Sequence, residues 1–255
     1  MPKALIVEDE PEANELLAML VQLRGYETSS AFNGHEALEQ VERVKPDLVF
    51  LDLMLPDING YDICRHLKSH RSTCGIPIVM VTARLAAENR VQGFRMGATD
   101  YVPKPYTPDQ IFGAMDQAAD WRSKLAHSGL EGVIPIDARF EITHLREISW
   151  LWSLLLERTS LSEDAARVLD QSLVELTSRA VEWGVRTGIG LVASLEYRCE
   201  PEAIVFTLRD LSDWFLADPP RRHDGLGGLI ARAQFDQVVT NERQSQVILT
   251  RLFSA

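Results

Sequence analysis

Three short, mainly apolar runs near the start of the chain, Ala4–Val7, Asp47–Leu51 and Ile76–Val81, constrain the fold more than any other feature. Runs this brief and this free of polar residues are strands covered on both faces, as in a parallel sheet. Helical patterns separate them, at 12–23, 34–44, 61–68, 86–96 and from 108 to about 124, with further strands expected at 26–30 and 99–102. Five strand–helix repeats with short loops predict an α/β unit: a five-stranded parallel sheet with helices on both faces. The working site of such a sheet lies at the carboxyl ends of its strands.

Those ends are chemically loaded. The first strand runs into Glu8-Asp9-Glu10, the third into Asp52, the fourth into Thr82-Ala83 and the fifth into Lys104-Pro105. Carboxylates gathered at one edge repel one another and call for a cation, and an all-oxygen set suits Mg²⁺. With that charge cancelled by a metal and by Lys104, Asp52 is placed to attack a phosphoryl group.

The runs Val7-Glu8-Asp9-Glu10, Leu51-Asp52-Leu53-Met54-Leu55-Pro56-Asp57 with Gly60, Val81-Thr82-Ala83 and Lys104-Pro105 resemble the receiver domain of two-component response regulators, over residues 1–124. The resemblance implies that Asp52 is the phosphoacceptor. It makes Asp9 a direct Mg²⁺ ligand, Glu8 a ligand through water, and the Met54 carbonyl the last protein ligand. It has Lys104 pair with the phosphoryl oxygens, and Thr82 and Tyr101 act as the switch pair. The Lys104–Pro105 bond is of the kind that proline allows to be cis.

The second half reads differently. Residues 125–138, with Gly129, Gly132 and Pro135, lack helical periodicity and are expected to be a linker before a domain at 139–255. A helix is expected at 142–156 and a longer one from a Ser162 cap to Trp183, ended by Gly184 and Gly188. Strands follow at 191–197 and 203–208, then a helix at 226–234 and strands at 238–240 and 247–253. This order predicts a two-layer α+β sandwich. His144 is expected on a helix surface. Trp150 and Trp152, two apart on a helix, are expected to divide between core and exposed face.

The run from Leu173 to Gly184, the tripeptide Leu208-Arg209-Asp210 and the run Asp224-Gly225-Leu226-Gly227-Gly228 resemble the ATPase-like domain of anti-sigma-factor serine kinases and histidine kinases. The resemblance makes Glu175, Asp210, Gly225 and Gly227 the nucleotide positions. The chain departs from that family in two places. Arg179 stands where an Asn would hold Mg²⁺, and a guanidinium has donors only. Ser212 and Trp214 replace glycines that let backbone approach the ligand. ATP binding is therefore not expected, and the domain is read as a degenerate ATPase-like output module. The only chemistry expected is phosphotransfer and dephosphorylation at the receiver. The alternative is a receiver-gated serine/threonine kinase that does bind ATP.

Composition narrows the partners. Lys+Arg number 26 against 37 Asp+Glu, a net charge of −11, with −7 of it in residues 1–120. Neither half offers the basic face that phosphate backbones require, so no nucleic-acid partner is expected. Cys64, Cys74 and Cys199, an odd and scattered set, read as reduced thiols. No run of about 18 apolar residues spans a membrane, and the start of the chain enters a strand without a leader, so a soluble cytoplasmic protein is expected. The expected partners are a histidine kinase or phosphotransferase, a protein docking on the output domain (in a sigma/anti-sigma pathway by resemblance), and a second copy through the receiver face holding Tyr101.

Overall fold

The computed structural model describes residues 1–83, 87–137, 141–187, 192–209, 234–241 and 246–253. The chain divides into two compact units, Met1–Ser128 and Gly129–Ala255.

In the first unit the strands are β1 (Lys3–Val7), β2 (Glu27–Ala31), β3 (Leu48–Leu51), β4 (Ile78–Thr82) and β5 (Asp100–Pro103). They alternate with α1 (Pro11–Leu23), α2 (Gly34–Val44), α3 (Gly60–Ser69), α4 (Ala87–Arg95) and α5 (Pro108–His127). All pairings are parallel, in the order β2-β1-β3-β4-β5. The strand order reverses between β1 and β3, so the crevice for a ligand opens where Val7 and Leu51 end. Both faces of the sheet are covered, and β3 and β4 are buried at every position. One core packs Ile6, Phe50, Val81 and Val102 against Leu17, Val21 and Ile111.

Local chemistry sets the helix ends. Asn33 caps α2 by accepting from the Glu36 N–H, and Thr107 with Gln110 forms a reciprocal capping box at α5, each satisfying donors that the first turn leaves unpaired.

The second unit is a five-stranded antiparallel sheet in the order β6-β7-β8-β10-β9. Its strands are β6 (Glu131–Asp137), β7 (Val192–Cys199), β8 (Ala203–Arg209), β9 (Gln237–Asn241) and β10 (Gln246–Leu252). Helices α6 (Glu141–Arg158) and α7 (Glu163–Thr187) pack on each other and on β6. Trp152 lies 6.1 Å from the Phe206 ring, centroid to centroid, which seats α6 over β8. The Ala165 N–H donates to Ser162 Oγ at 3.2 Å, so Ser162 caps α7 as expected.

Several expectations for this half are corrected. Residues 125–138 are not a linker: α5 continues to His127, and β6 pairs along its whole length with β7. The alternation of buried Ile134 and Ile136 with exposed neighbours is a strand pattern. Pro135 hides it, and is tolerated because β6 is an edge strand. The order therefore begins with a strand rather than a helix. Gly184 does not end α7, which runs to Thr187.

Trp150 and Trp152 are both buried, and so is His144. Helix α6 is apolar on almost every side from Ser149 to Leu156, and such a helix is enclosed rather than amphipathic. The helix expected at 226–234 lies outside the described residues except for Gln234. Among the described residues, no helix is long and apolar enough to cross a membrane.

Candidate functional site

The strand ends converge as the parallel topology requires. The Asp52 N–H donates to the Val7 carbonyl at 2.9 Å, and the Lys104 N–H to the Thr82 carbonyl at 2.8 Å, tying the loops after β3 and β5 to the neighbouring strand ends. Ligand oxygens of Glu8, Asp9 and Asp52 lie within 4.8 Å of one another, with Glu8 and Asp52 buried and Asp9 exposed. Lys104 Nζ donates to Asp52 Oδ2 at 2.5 Å and also to Glu8 Oε2. The Lys104–Pro105 peptide is cis.

Electrostatics follow from this packing. Burial pushes the Glu8 carboxyl above its usual range, only partly offset by the Lys104 hydrogen bond and charge, while the Asp52 charge pushes the same way. Burial works against the Lys104 ammonium, but its hydrogen bonds to Asp52 and Glu8 outweigh that and raise it. Lys104 thus stays protonated as the counter-charge to two carboxylates. The three carboxylates form a hard, all-oxygen set of the kind that could hold one Mg²⁺, with Asp9 on the solvent side. When bound, that ion would supply charge neutralisation for a phosphoryl group.

The remaining expected residues are placed as follows. The Met54 N–H donates to Asp52 Oδ1 at 3.0 Å, which fixes the carboxylate plane. Thr82 ends β4 fully buried, and Tyr101 of β5 is buried beside it, opposite Met80 in the strand register. Gly93 of α4 lies so close that a Cβ there would sit 2.9 Å from Met80 Sδ and 3.5 Å from the Tyr101 ring. Glu175 is half-buried on α7. Asp210, Ser212, Trp214, Gly225 and Gly227 lie outside the described residues, as does the Arg179 side chain.

Three further positions shape the site: Asn14, outside the receiver-like motifs, and Asp57 and Gly60, which belong to them but had no role assigned. Asn14 is buried, with Nδ2 donating to the carbonyls of Glu8 (3.2 Å), Ile6 (3.4 Å) and Ala31 (3.5 Å), and Oδ1 accepting from Ser30 Oγ at 2.6 Å. It clamps α1 and β2 onto the end of β1, where Glu8 and Asp9 leave the sheet. A polar residue amid the apolar positions of α1 was the available signal.

Asp57 accepts from the Gly34, His35 and Ile58 N–H groups and from the His35 ring. Burial acts upward on it, but these donors hold its carboxyl well below the usual range. It pins the loop after Asp52 to the start of α2. At Gly60, an added Cβ would lie 2.3 Å from the Asp52 carbonyl oxygen and 2.8 Å from Leu53 Cα, so only glycine lets α3 begin against that loop.

A parallel sheet in this order thus carries an acid triad and a bridging lysine at its switch point. Residues 4–116 match the family model of the response regulator receiver domain. The first unit is a response regulator receiver domain of a two-component system.

The chain is similar to DNA-binding response regulator MtrA of Mycolicibacterium smegmatis, 42% identical over 109 residues, covering 43% of this chain and 46% of that protein. It is similar to the DNA-binding dual master transcriptional regulator RpaA of Synechocystis, 34% identical over 111 residues and covering 44% and 46%. Among solved structures, it resembles a CheY-like receiver domain protein of Methanospirillum hungatei, 27% identical, with a TM-score of 0.45, covering 49% of this chain and 98% of that one. The chain spans about half the length of the curated relatives it matches.

These relatives overturn the exclusion of a nucleic-acid partner, since proteins sharing this receiver are DNA-binding regulators. The exclusion rested on net charge. That sum averages over the whole surface, whereas a groove contact needs only a local stripe of basic side chains.

Proposed function

We propose that this chain is a response regulator phosphorylated on Asp52, with residues 129–255 as the output unit it controls. The observation that carries the proposal is Lys104 joined to both Asp52 and Glu8 beside Asp9. Asp52 Oδ1 is held by the Met54 N–H and Oδ2 by Lys104, so the carboxylate is oriented before a donor arrives. Attack of an Asp52 carboxylate oxygen on phosphorus forms the acyl phosphate as the donor's bond to phosphorus breaks (P–N in a kinase phosphohistidine, P–O in acetyl phosphate) and the imidazole or acetate departs, and the transferred group brings added negative charge to the Lys104 ammonium. Movement of Lys104 towards that charge, and of Thr82 with Tyr101 behind it, changes the surface of α4, β5 and α5.

The output unit is read as a degenerate ATPase-like domain working through its surface towards a partner macromolecule. Two helices layered on an antiparallel sheet, with Glu175 and Arg179 one turn apart on α7, support that reading. The test is incubation of the full chain with acetyl phosphate and Mg²⁺, followed by intact-mass measurement. The expected result is one added phosphoryl group in the native chain and none in Asp52→Asn. A phosphorylated Asp52→Asn chain refutes the assignment. Mg-ATP titrated into the full chain tests the reading of the output unit: absence of binding at millimolar nucleotide fits the degenerate domain, and micromolar binding overturns it, with ATP-dependent transfer to a partner protein, lost in Glu175→Ala or Asp210→Ala, then needed to establish the gated kinase.

A further inference from the structure

The chain has six histidines, and two of them, His66 and His70, stand four apart at the end of α3. Side chains at that spacing are neighbours over one helical turn. The two rings lie 4.2 Å apart between centroids, tilted by 43°. His66 is exposed and His70 half-buried, so both rings reach solvent.

The end of the helix fixes one of the rings. His70 follows the last residue of α3, Ser69, with extended backbone (φ −110°, ψ 134°). The last turn of any helix leaves carbonyls without partners. Here the His66 carbonyl accepts from His70 Nδ1 at 2.6 Å and from the Ser69 hydroxyl at 2.9 Å. A carbonyl oxygen only accepts, so the His70 proton sits on Nδ1 and the lone pair on Nε2. That is the arrangement found in metal-ligating imidazoles, where a hydrogen bond from one ring nitrogen fixes the tautomer and leaves the other nitrogen to bind. Among the described residues, no side chain hydrogen-bonds the His66 ring. Partial burial and the His70 ring beside it lower the proton affinity of His66, against an upward push from Glu42 of α2.

The neighbouring cations are engaged elsewhere. Arg65 pairs with Asp62, and Lys68 Nζ donates to the Cys74 and Ile76 carbonyls. Arg71, next in the chain and exposed, opposes a bound cation, and Glu42 favours one. Coordination rather than net charge therefore decides what binds. A Zn–N bond is about 2.0–2.1 Å, so one ion joins two nitrogens up to about 4 Å apart. A turn of the exposed His66 ring brings its nitrogen into that span. Imidazole suits Zn²⁺, Cu²⁺ and Ni²⁺, whereas Mg²⁺ takes oxygen. The one cluster of three side-chain ligands among the described residues is the acid triad, so water completes the sphere at the histidines.

We infer that His66 and His70 form a surface site for a divalent transition cation of the Zn²⁺ class, separate from the acid triad. The two sites lie towards opposite ends of α3, whose start at Gly60 packs on the Asp52 loop. Ten residues of helix set those ends about 15 Å apart. The ion staples the last turn of α3 to the residue after it, and so stabilises the receiver by mass action.

Calorimetric titration of Zn²⁺ into the full chain with Mg²⁺ in excess, together with melts of the same samples, tests this. The expected result is binding in the micromolar range and a receiver melting temperature that rises with Zn²⁺. His66→Gln and His70→Gln should each weaken binding at least about tenfold, the scale on which even outer-shell partners of a metal matter. Both should abolish the rise in melting temperature while leaving the circular dichroism spectrum unaltered, and Asp9→Asn should keep the binding and the rise. A native chain that binds no Zn²⁺ at submillimolar concentration overturns the inference. So does binding that either glutamine leaves unchanged, or that Asp9→Asn abolishes, because the ion would then sit in another site.

Discussion

Replacing Lys104 by Met removes the cation from the acid cluster while keeping most of the apolar stem. In the structure the ammonium is shared by Glu8 and Asp52, whose side chains are only 3% and 6% exposed, and Lys104 itself is 20% exposed. Removing one partner of a fully buried pair costs about 3–5 kcal/mol, because the remaining charge is left uncompensated. An exposed pair is worth about 0–1 kcal/mol. This site lies between the two and opens to solvent at Asp9, so the expected loss is about 2–3 kcal/mol in EDTA.

For a unit of this size that corresponds to a drop of roughly 6–15 °C in the melting temperature of the receiver transition. Added Mg²⁺ should then restore stability more in the variant than in the native chain, since the carboxylates have lost their competing counter-charge. Binding at a hundred times Kd contributes about 2.7 kcal/mol by mass action. Calorimetric melts of both chains, with EDTA and with a Mg²⁺ series, measure all of this. A variant that melts within a degree of the native chain in EDTA would refute the reasoning, as would one that gains no more from Mg²⁺ than the native chain does.

Other consequences follow from the same geometry. Phe50→Ala, at a fully buried position of β3 two residues before Asp52, should cost about 3–5 kcal/mol in urea unfolding. Gly60→Ala must displace the backbone of the Asp52 loop. A loss of about 1–3 kcal/mol is expected, and slower labelling by acetyl phosphate should accompany it in a time course. Asn14→Leu leaves the Glu8 carbonyl without its donor and should cost about 1–3 kcal/mol in the same unfolding assay.

Asp57 has a depressed folded pKa, so its stabilisation is present above the ordinary carboxylate value and is lost as pH falls through the folded value. The melting difference between the native chain and Asp57→Asn should be full at pH 6 and shrink as acidification proceeds below pH 4. A difference that grows on acidification would contradict this.

The receiver was legible because its signals are local. Wholly apolar runs such as Leu48–Leu51 can only be strands covered twice, and the acids and lysine at their ends follow from strand direction. The second unit was legible in part. The period of α7 and the alternation of Val247 and Leu249 identify a helix and a strand, whereas β6 was lost because Gly132 and Pro135 imitate a linker. Gly132 is there for packing: a Cβ would lie 2.6 Å from the Tyr197 hydroxyl across the strand pair. Similarly, the spacing of Trp150 and Trp152 describes one helix correctly but not what surrounds it, and α6 is enclosed on more than one side.

From the sequence alone came the parallel sheet, the identity of the residues at its carboxyl edge and the chemistry that such residues support. Only tertiary structure decided that Lys104 reaches Glu8 as well as Asp52, across 96 and 52 residues of chain. It alone showed that Asn14 holds the end of β1, and that residues 131–137 form the edge strand of the second sheet. Periodicity records what each residue does towards its own helix or strand. Which elements become neighbours depends on strand order and register, and these emerge only when the faces pack.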